Sequence, residues 1–260
     1  MAAETQRYST SELMIAAGSR ELQDGMVAVV GLGIPQLAAA LAQHTHAPHL
    51  HVLNEIGVID AKLIELGVGN ADARHWYRAT TFSNFIDIVG MAIHRGAVDI
   101  GFLGALEVDQ FGNNNASEVP RPEGGVRRFG GGGGANDIAT HAKQTILILR
   151  HEKRKLVERV THNTSPGHLQ GDDSRQRTGL KGAGPRRVLT DKCVFGVDEE
   201  TKRLKLLSIH PGVTHDDLRE NTGFALDIPA NLPLTPEPTD EEIRLIRDEL
   251  DPHNMYTSAF

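Results

Sequence analysis

Cysteine is nearly absent: Cys193 is the only one in 260 residues. That excludes an intrachain disulfide framework and a multi-cysteine metal centre, and it fits a reducing compartment. No run approaches the roughly 18 apolar residues of a membrane span. The N-terminal "MAAETQRYSTSELM" lacks the apolar core of a signal peptide. An excess of basic residues is missing too. Lys and Arg number 27 against 34 Asp and Glu, a formal net charge of −7, so nucleic acid is not the expected partner. Internal repeats are also lacking. What remains, 39% hydrophobic and 23% charged residues, is the ordinary composition of a globular protein. The expectation is one cytoplasmic domain over residues 1–260, long enough for a large core.

The apolar pattern alternates between helix and strand in the first half. Residues 11–23 read as a helix closed by Gly25, 26–30 as a buried strand, 36–43 as a helix and 49–54 as a second strand. The pattern then weakens until strand 97–103, followed by a short strand at 107–109. Helical character returns at "ANDIATHA", after five glycines, and 144–150 reads as another strand. Residues 161–187 are polar, basic and glycine-rich, and are expected to form a long surface excursion. Strand runs at 188–197 and 204–209 suggest a hairpin, with late helices at 216–221 and 239–250. Strands that alternate with helices early and pair with their neighbours late predict an α/β fold. Its sheet would be open and mostly parallel, with helices on both faces and antiparallel additions.

Five features are candidates for chemistry. "VVGLGIPQ" begins like a dinucleotide fingerprint, with Glu55 about 20 residues further on where a ribose-binding acid would sit. The third glycine would fall at position 36, however, and that residue is Gln36. Gly31 and Gly33 keep a broader use, letting backbone approach a ligand at a helix N-terminus, or simply making a tight turn. In "FGGGGGAND" the run Gly130–Gly134 is entropically costly to order. It lacks the Lys-Ser or Lys-Thr of a phosphate loop, which leaves an oxyanion or thioester-carbonyl site, or a disordered loop. His44, His46, His49 and His51 cluster without the cysteines or helical spacing of a zinc centre, so no metal site is expected. Cys193, in an apolar strand, reads as a small buried hydrophobe. Glu55 is the unusual residue. It ends an apolar run at the carboxyl end of an expected strand, where α/β sheets place ligands and where a desolvated carboxylate needs compensation.

In order along the chain, "GLGIP", "NEIGVID", "GFLGALEVDQFGNNN", "FGGGGGANDIAT", "LRHEKRKLVERV", "TSPG", "VDEETKRLKLL", "RENTGFALDI" and "RLIRDELDP" resemble the β subunits of the family I coenzyme A transferases, those of glutaconate type. The resemblance implies a NagB/RpiA/CoA-transferase-like fold and an active site shared with a separate α subunit in a hetero-oligomer. It also implies coenzyme A thioesters and carboxylic acids as substrates, with no permanently bound cofactor. The family's E-x-G-x-x-D segment falls on Glu55, Gly57 and Asp60, making Glu55 the catalytic carboxylate. Its glycine loop falls on Gly131 to Asn136, so Gly133, Gly134, Ala135 and Asn136 join Gly31 and Gly33 as oxyanion- or CoA-binding candidates. Gly132, often a small polar residue in that family, is expected to loosen the loop.

The chemistry implied is a ping-pong transfer through a glutamyl-CoA thioester on Glu55. Two alternatives stand beside it. One is an acyl-CoA hydrolase, ring-opening enzyme or decarboxylase on the same fold; the other is a non-catalytic β-like binding subunit. The basic stretch with Arg175, Arg177, Lys181, Arg186 and Arg187 could meet CoA phosphates or a substrate carboxylate, or form a solvated loop or subunit contact.

Overall fold

The computed structural model of the chain describes residues 7–61, 69 and 72–259. The first half contributes α1 (Thr10–Ser19), β1 (Val27–Val29), α2 (Ile34–His44), β2 (His51–Asn54), β3 (Val58–Ile59), β4 (Thr81–Phe82) and β5 (Ile100–Gly104). Short strands β6 (Glu107–Asp109), β7 (Asn114–Asn115), β8 (Glu118–Pro120) and β9 (Val126–Arg128) lead to α3 (Ala135–His141) and β10 (Gln144–Ile148). The remainder holds β11 (Leu156–Val157), α4 (Ser174–Arg177), β12 (Pro185–Leu189), β13 (Cys193–Val197), β14 (Leu204–Ile209), α5 (His215–Asn221) and α6 (Asp240–Arg244).

Among the described residues the main sheet has nine strands in the order β14-β13-β12-β10-β5-β1-β2-β3-β4. The five central strands, β12 to β2, are parallel, and antiparallel pairs extend both ends. This is the expected α/β sheet with antiparallel additions, but four parallel and four antiparallel pairings make it mixed rather than mostly parallel. Successive residues of a strand face opposite sides, and here both sides are covered. Ala28, Val30, Ile100, Phe102, Ile146 and Ile148 pack beneath α1, α2 and a wide-turned helix at Leu245–Leu250. Val29, Leu103, Leu147 and Val188 pack on the other face, against Ile88, Val89 and Ile93 of a second wide-turned helix, Ile86–Ile93, and against Ile138 of α3. From β1 the chain crosses to β2 on one side, then returns to β5 on the other. The loops after β1 and β5 therefore diverge, opening a crevice at the carboxyl edge of the sheet.

Several expectations are refined. The helix at Ile86–Ile93 was not legible as such. Helix 11–23 stops at Ser19, and Leu22 enters the core from a turn. The run 188–197 divides into β12 and β13, because Thr190 Oγ1 accepts from the Cys193 N–H at 3.0 Å and closes a turn between them. Segment 161–187 is not a free surface excursion: Ser165, His168, Ser174 and Arg175 are buried, and β12 begins inside it at Pro185.

The core carries buried neutral histidines. His151, 2% exposed, bridges Thr190 Oγ1 and Thr222 Oγ1 at 3.0 Å each. His168 meets the Pro185 carbonyl at 3.2 Å. Burial, the dominant cause, pushes each from 6.5 down to about 4. Unfolding releases them to their ordinary value, so between these limits the unfolded chain binds more protons than the folded one. Their stabilisation is therefore complete above pH 6.5 and is lost as pH falls towards 4. Denaturant titrations over that window are expected to lose up to about 3 kcal/mol for each histidine. His151→Gln or His168→Gln would flatten the pH profile.

Candidate active site

β2 leaves the core at Leu53 and ends at Asn54, so Glu55 lies in the turn joining β2 to β3, half-buried at the carboxyl edge of the sheet. Two features fix that turn. The Asp60 carboxylate accepts from the Val52 N–H at 2.8 Å through Oδ1 and meets His51 Nδ1 at 2.7 Å through Oδ2, which locks the hairpin register. Gly57 has φ +110°, and a Cβ there would lie 2.5 Å from the backbone of Ser83 and Asn84. Its carbonyl accepts from the Ser83 N–H at 2.7 Å. Glycine is therefore needed for close backbone approach and aspartate for register. The E-x-G-x-x-D spacing acquires a mechanical reason: it holds Glu55 in place.

The glycine run arrives from the opposite side. Gly131 and Gly133 have positive φ, +80° and +52°, and Gly134 caps α3. The Gly134 N–H donates to Glu55 Oε2 at 3.2 Å. A Cβ at Gly134 would lie 2.8 Å from that oxygen and 3.3 Å from Val89 Cγ2, and one at Gly133 would lie 3.3 Å from Oε1. Bare backbone is thus pressed against the carboxylate. At Gly132 the Thr164 methyl occupies the space where a side chain would go, 2.7 Å from where a Cβ would stand. Thr164 is itself anchored, its Oγ1 accepting from the Ala116 N–H at 3.0 Å and bonded to Ser117 Oγ at 2.7 Å.

A crevice of about 660 Å³ opens over Glu55, lined by Gly31, Asn54, Gly104, Ala116 and Ala135 among others. Of the candidates read from the sequence, Gly133 and Gly134 approach Glu55, and Gly31 and Ala135 line the same crevice. Gly33 and Asn136 do not. Gly33 turns into α2 with φ +82°, against the Tyr256 ring, and Asn136 Nδ2 donates to the Thr164 carbonyl at 3.0 Å. Asn54, Ala116 and Thr164 escaped sequence reading. Only the position of Asn54 at a strand end offered a signal.

The basic stretch is largely structural. Arg175, 5% exposed, donates to the carbonyls of Ala139 at 2.5 Å, Gly182 at 2.6 Å and Gly167 at 2.8 Å. Burial lowers it to about 10, so it stays charged. Arg186 and Arg187 both pair with Glu21 at 3.0 Å. The early histidines are dispersed to separate partners: His44 to the Ala40 carbonyl, His46 to the Leu22 carbonyl, His49 to Asp24 and His51 to Asp60. Burial pushes the Cys193 thiol up, the state of an inert core residue. Among the described residues His94, Asp137 and His141 bring potential ligand atoms within 4.8 Å. A His94–Asp137 contact of 2.6 Å and ring stacking at 4.1 Å hold that group together.

A doubly covered α/β sheet with a backbone-held carboxylate in its switch-point crevice is an architecture suited to covalent acyl chemistry. Sequence comparison assigns its family. Residues 11–221 match the family model for coenzyme A transferase, and the chain belongs to that family. It is 34% identical over 255 residues to one subunit of the glutaconate CoA-transferase of Acidaminococcus fermentans, covering 96% of this chain and 95% of the relative. It is 36% identical over 240 residues to one subunit of the 3-oxoadipate CoA-transferase of Pseudomonas knackmussii, covering 92% of each. The crystal structure of the Acidaminococcus glutaconate enzyme superposes with a TM-score of 0.89 over 96% of this chain and 97% of that one, at 33% identity. A decarboxylase, AibA/AibB, superposes at 0.81 with 25% identity, over 96% and 98% of the two chains. No described helix is long and apolar enough to cross a membrane.

Gly134→Ala is expected to displace the Glu55 carboxylate, since the new methyl would claim the space of Oε2. A misplacement of about 1 Å at a reacting group costs on the order of 10²-fold in rate. CoA-ester turnover is expected to fall by that order while the thermal unfolding midpoint stays near that of the parent.

Proposed function

We propose that this chain is the β subunit of a CoA-transferase that moves CoA between an acyl-CoA and a carboxylic or dicarboxylic acid, through a glutamyl-CoA thioester on Glu55. The observation that carries this reading is the Glu55 carboxylate, held by the Gly134 N–H in the crevice at the carboxyl edge of the sheet. The Glu55 carboxylate attacks the acyl-CoA thioester carbonyl and expels CoA thiolate, leaving a mixed anhydride. The thiolate attacks the glutamyl carbonyl, releases the first acid as its carboxylate and leaves the enzyme-bound thioester. A second carboxylate attacks that thioester and expels CoA thiolate. The thiolate then attacks the new acyl carbonyl, releasing the new acyl-CoA and regenerating Glu55. Thioester is exchanged for thioester, so no external energy source enters.

The geometry supports a division of labour among these steps. Whenever the glutamyl carbonyl is attacked, the developing oxyanion is one of Glu55's own oxygens. The Gly134 N–H already lies 3.2 Å from Oε2. The same donor thus holds the resting carboxylate and is set to meet the tetrahedral oxyanion, a contribution of about 3–4 kcal/mol for one such donor in other acyl-transfer enzymes. The glycine loop is read as serving the enzyme's own carbonyl.

An α subunit completes the assembly. Apolar side chains project around the hairpin that carries Glu55: Phe82 is 63% and Ile86 72% exposed, with Trp76, Tyr77 and Phe85 also open to solvent. Gly57 packs on the Ser83–Asn84 backbone between these residues and Glu55. A partner seated on that ridge would border the crevice and exclude water from it.

The reading is tested by intact mass of this chain, prepared with its α partner and given an acyl-CoA with no acceptor acid. A CoA-sized adduct is expected, lost on hydroxylamine treatment and absent from Glu55→Ala. Free CoA accumulating with no adduct would move the assignment to a hydrolase. Turnover retained in Glu55→Ala would remove the glutamate from the mechanism.

A further inference from the structure

We propose that a second crevice, on the α2 side of β2, is the subsite for the far end of the acid substrate, and that it accepts a carboxyl group together with one proton. This rests on the transfer reading above and specifies which acids the site prefers. The crevice is small, with about 60 Å³ open to water-sized groups, room for a carboxyl group and little more. It shares Val30, Gly31 and Asn54 with the crevice over Glu55. The two crevices are therefore neighbours, and the proposed substrate spans them with its reacting carboxylate at Glu55. Ala39, Val52 and Val58 make apolar wall; Gln36, Gln43, Asn54 and His75 supply polar groups, and Arg74 also lines it with its guanidinium engaged by Asp72.

Gln36 and His75 form an incomplete hydrogen-bonded pair. Gln36 Nε2 lies 3.0 Å from His75 Nδ1. Among the described residues, Gln36 Oε1 and His75 Nε2 are buried with no hydrogen-bond partner, and His75 is only 6% exposed. Buried polar atoms left in this state cost stability and call for a ligand or an ordered water. Either assignment of the amide gives the same complement. If the amide donates to Nδ1, His75 carries its proton on Nε2 and Gln36 presents an acceptor. If the amide is turned, Nδ1 carries the proton, Gln36 presents an N–H and His75 Nε2 presents a lone pair. The crevice always offers one donor and one acceptor. A protonated carboxyl group matches both, its O–H donating to one and its carbonyl accepting from the other. A bare carboxylate would set oxygen lone pairs against the acceptor.

Burial, rather than neighbouring charge, keeps His75 neutral before the acid arrives. Asp72 and Arg74, from its own turn, are bound to one another at 2.6 and 3.0 Å. Tyr256 adjoins that pair, and the residue facing His75 from α2 is the uncharged Gln36. Burial is the largest influence on His75 and lowers it from 6.5, with Asp72 and Arg74 acting in opposite directions. Above pH 6.5 neither the free acid nor the empty site carries the proton, so binding takes one from solution. Affinity then falls roughly tenfold for each unit of pH by linkage.

Calorimetry on the complete α/β protein tests this with a five-carbon dicarboxylic acid, the matching monocarboxylic acid and the matching ω-hydroxy acid, at pH 6.5, 7.5 and 8.5 in buffers of different ionisation enthalpy. The diacid is expected to take up one proton and to weaken roughly 100-fold across the range. The other two are expected to bind independently of pH, and Gln36→Leu to abolish the preference for the diacid. Diacid binding without proton uptake, equal affinity for mono- and diacid, or tighter binding of the hydroxy acid would each overturn the subsite. Because binding is read without turnover, these failures are separate from the covalent route, which is judged by the adduct on Glu55 in the parent protein.

Discussion

The contact between the Gly134 N–H and the Glu55 carboxylate governs how this domain is arranged around its crevice. It joins two segments that the chain separates by 79 residues, and each must be held independently for the contact to exist. On one side the Asp60 carboxylate and the Ser83 N–H to Gly57 carbonyl bond clamp the β2–β3 turn. On the other, α3 must lie low against the sheet. It does so because Gly101 of β5 has no side chain: a Cβ there would fall 2.2 Å from Ile138 Cγ2. Arg175 then fastens the far end of α3 through the Ala139 carbonyl. A buried guanidinium is costly unless its donors are satisfied. Here it spends them on backbone carbonyls of the segment after residue 165 and of α3.

A preorganised donor gains its advantage by being in place before charge develops. The glycine run meets that need at an entropic disadvantage, since each glycine gives up more freedom on ordering than any other residue. Thr164 offsets part of this by filling the space beside Gly132 and by accepting from Ala116 and Asn136. The domain therefore joins flexible sequence to fixed geometry: glycine allows backbone to approach the carboxylate, and neighbouring side chains remove the freedom that glycine brings.

Much of this was legible in the sequence. The buried parallel strands announced themselves as apolar runs, and Glu55 stood out because it ends one of them. The five glycines were conspicuous, and the order of motifs identified the family that the comparisons establish. The rest depended on contacts distant along the chain. Arg175 looked like a solvent-facing cation in a basic loop, and only the fold reveals carbonyls converging on it. His75 and Gln36 are 39 residues apart and belong to no motif. The helix Ile86–Ile93 was missed because it exposes Ile86 and Met91, which blurs the periodicity expected of a buried face. Gly33 and Asn136 sit beside true crevice residues, and spacing alone could not separate lining from support.

The central claim is that the Glu55 carboxylate itself forms and breaks acyl bonds. The most direct measurement is turnover with an acceptor acid labelled with ¹⁸O in its carboxyl group, followed by peptide mass analysis of residue 55. Attack by the labelled carboxylate on the glutamyl thioester makes a bridging ¹⁸O, and cleavage on the acyl side leaves that oxygen on Glu55. Heavy oxygen accumulating in the Glu55 side chain, only when acyl-CoA is present, is the predicted result. An unlabelled Glu55 after many turnovers would contradict the account and require transfer without a glutamyl anhydride.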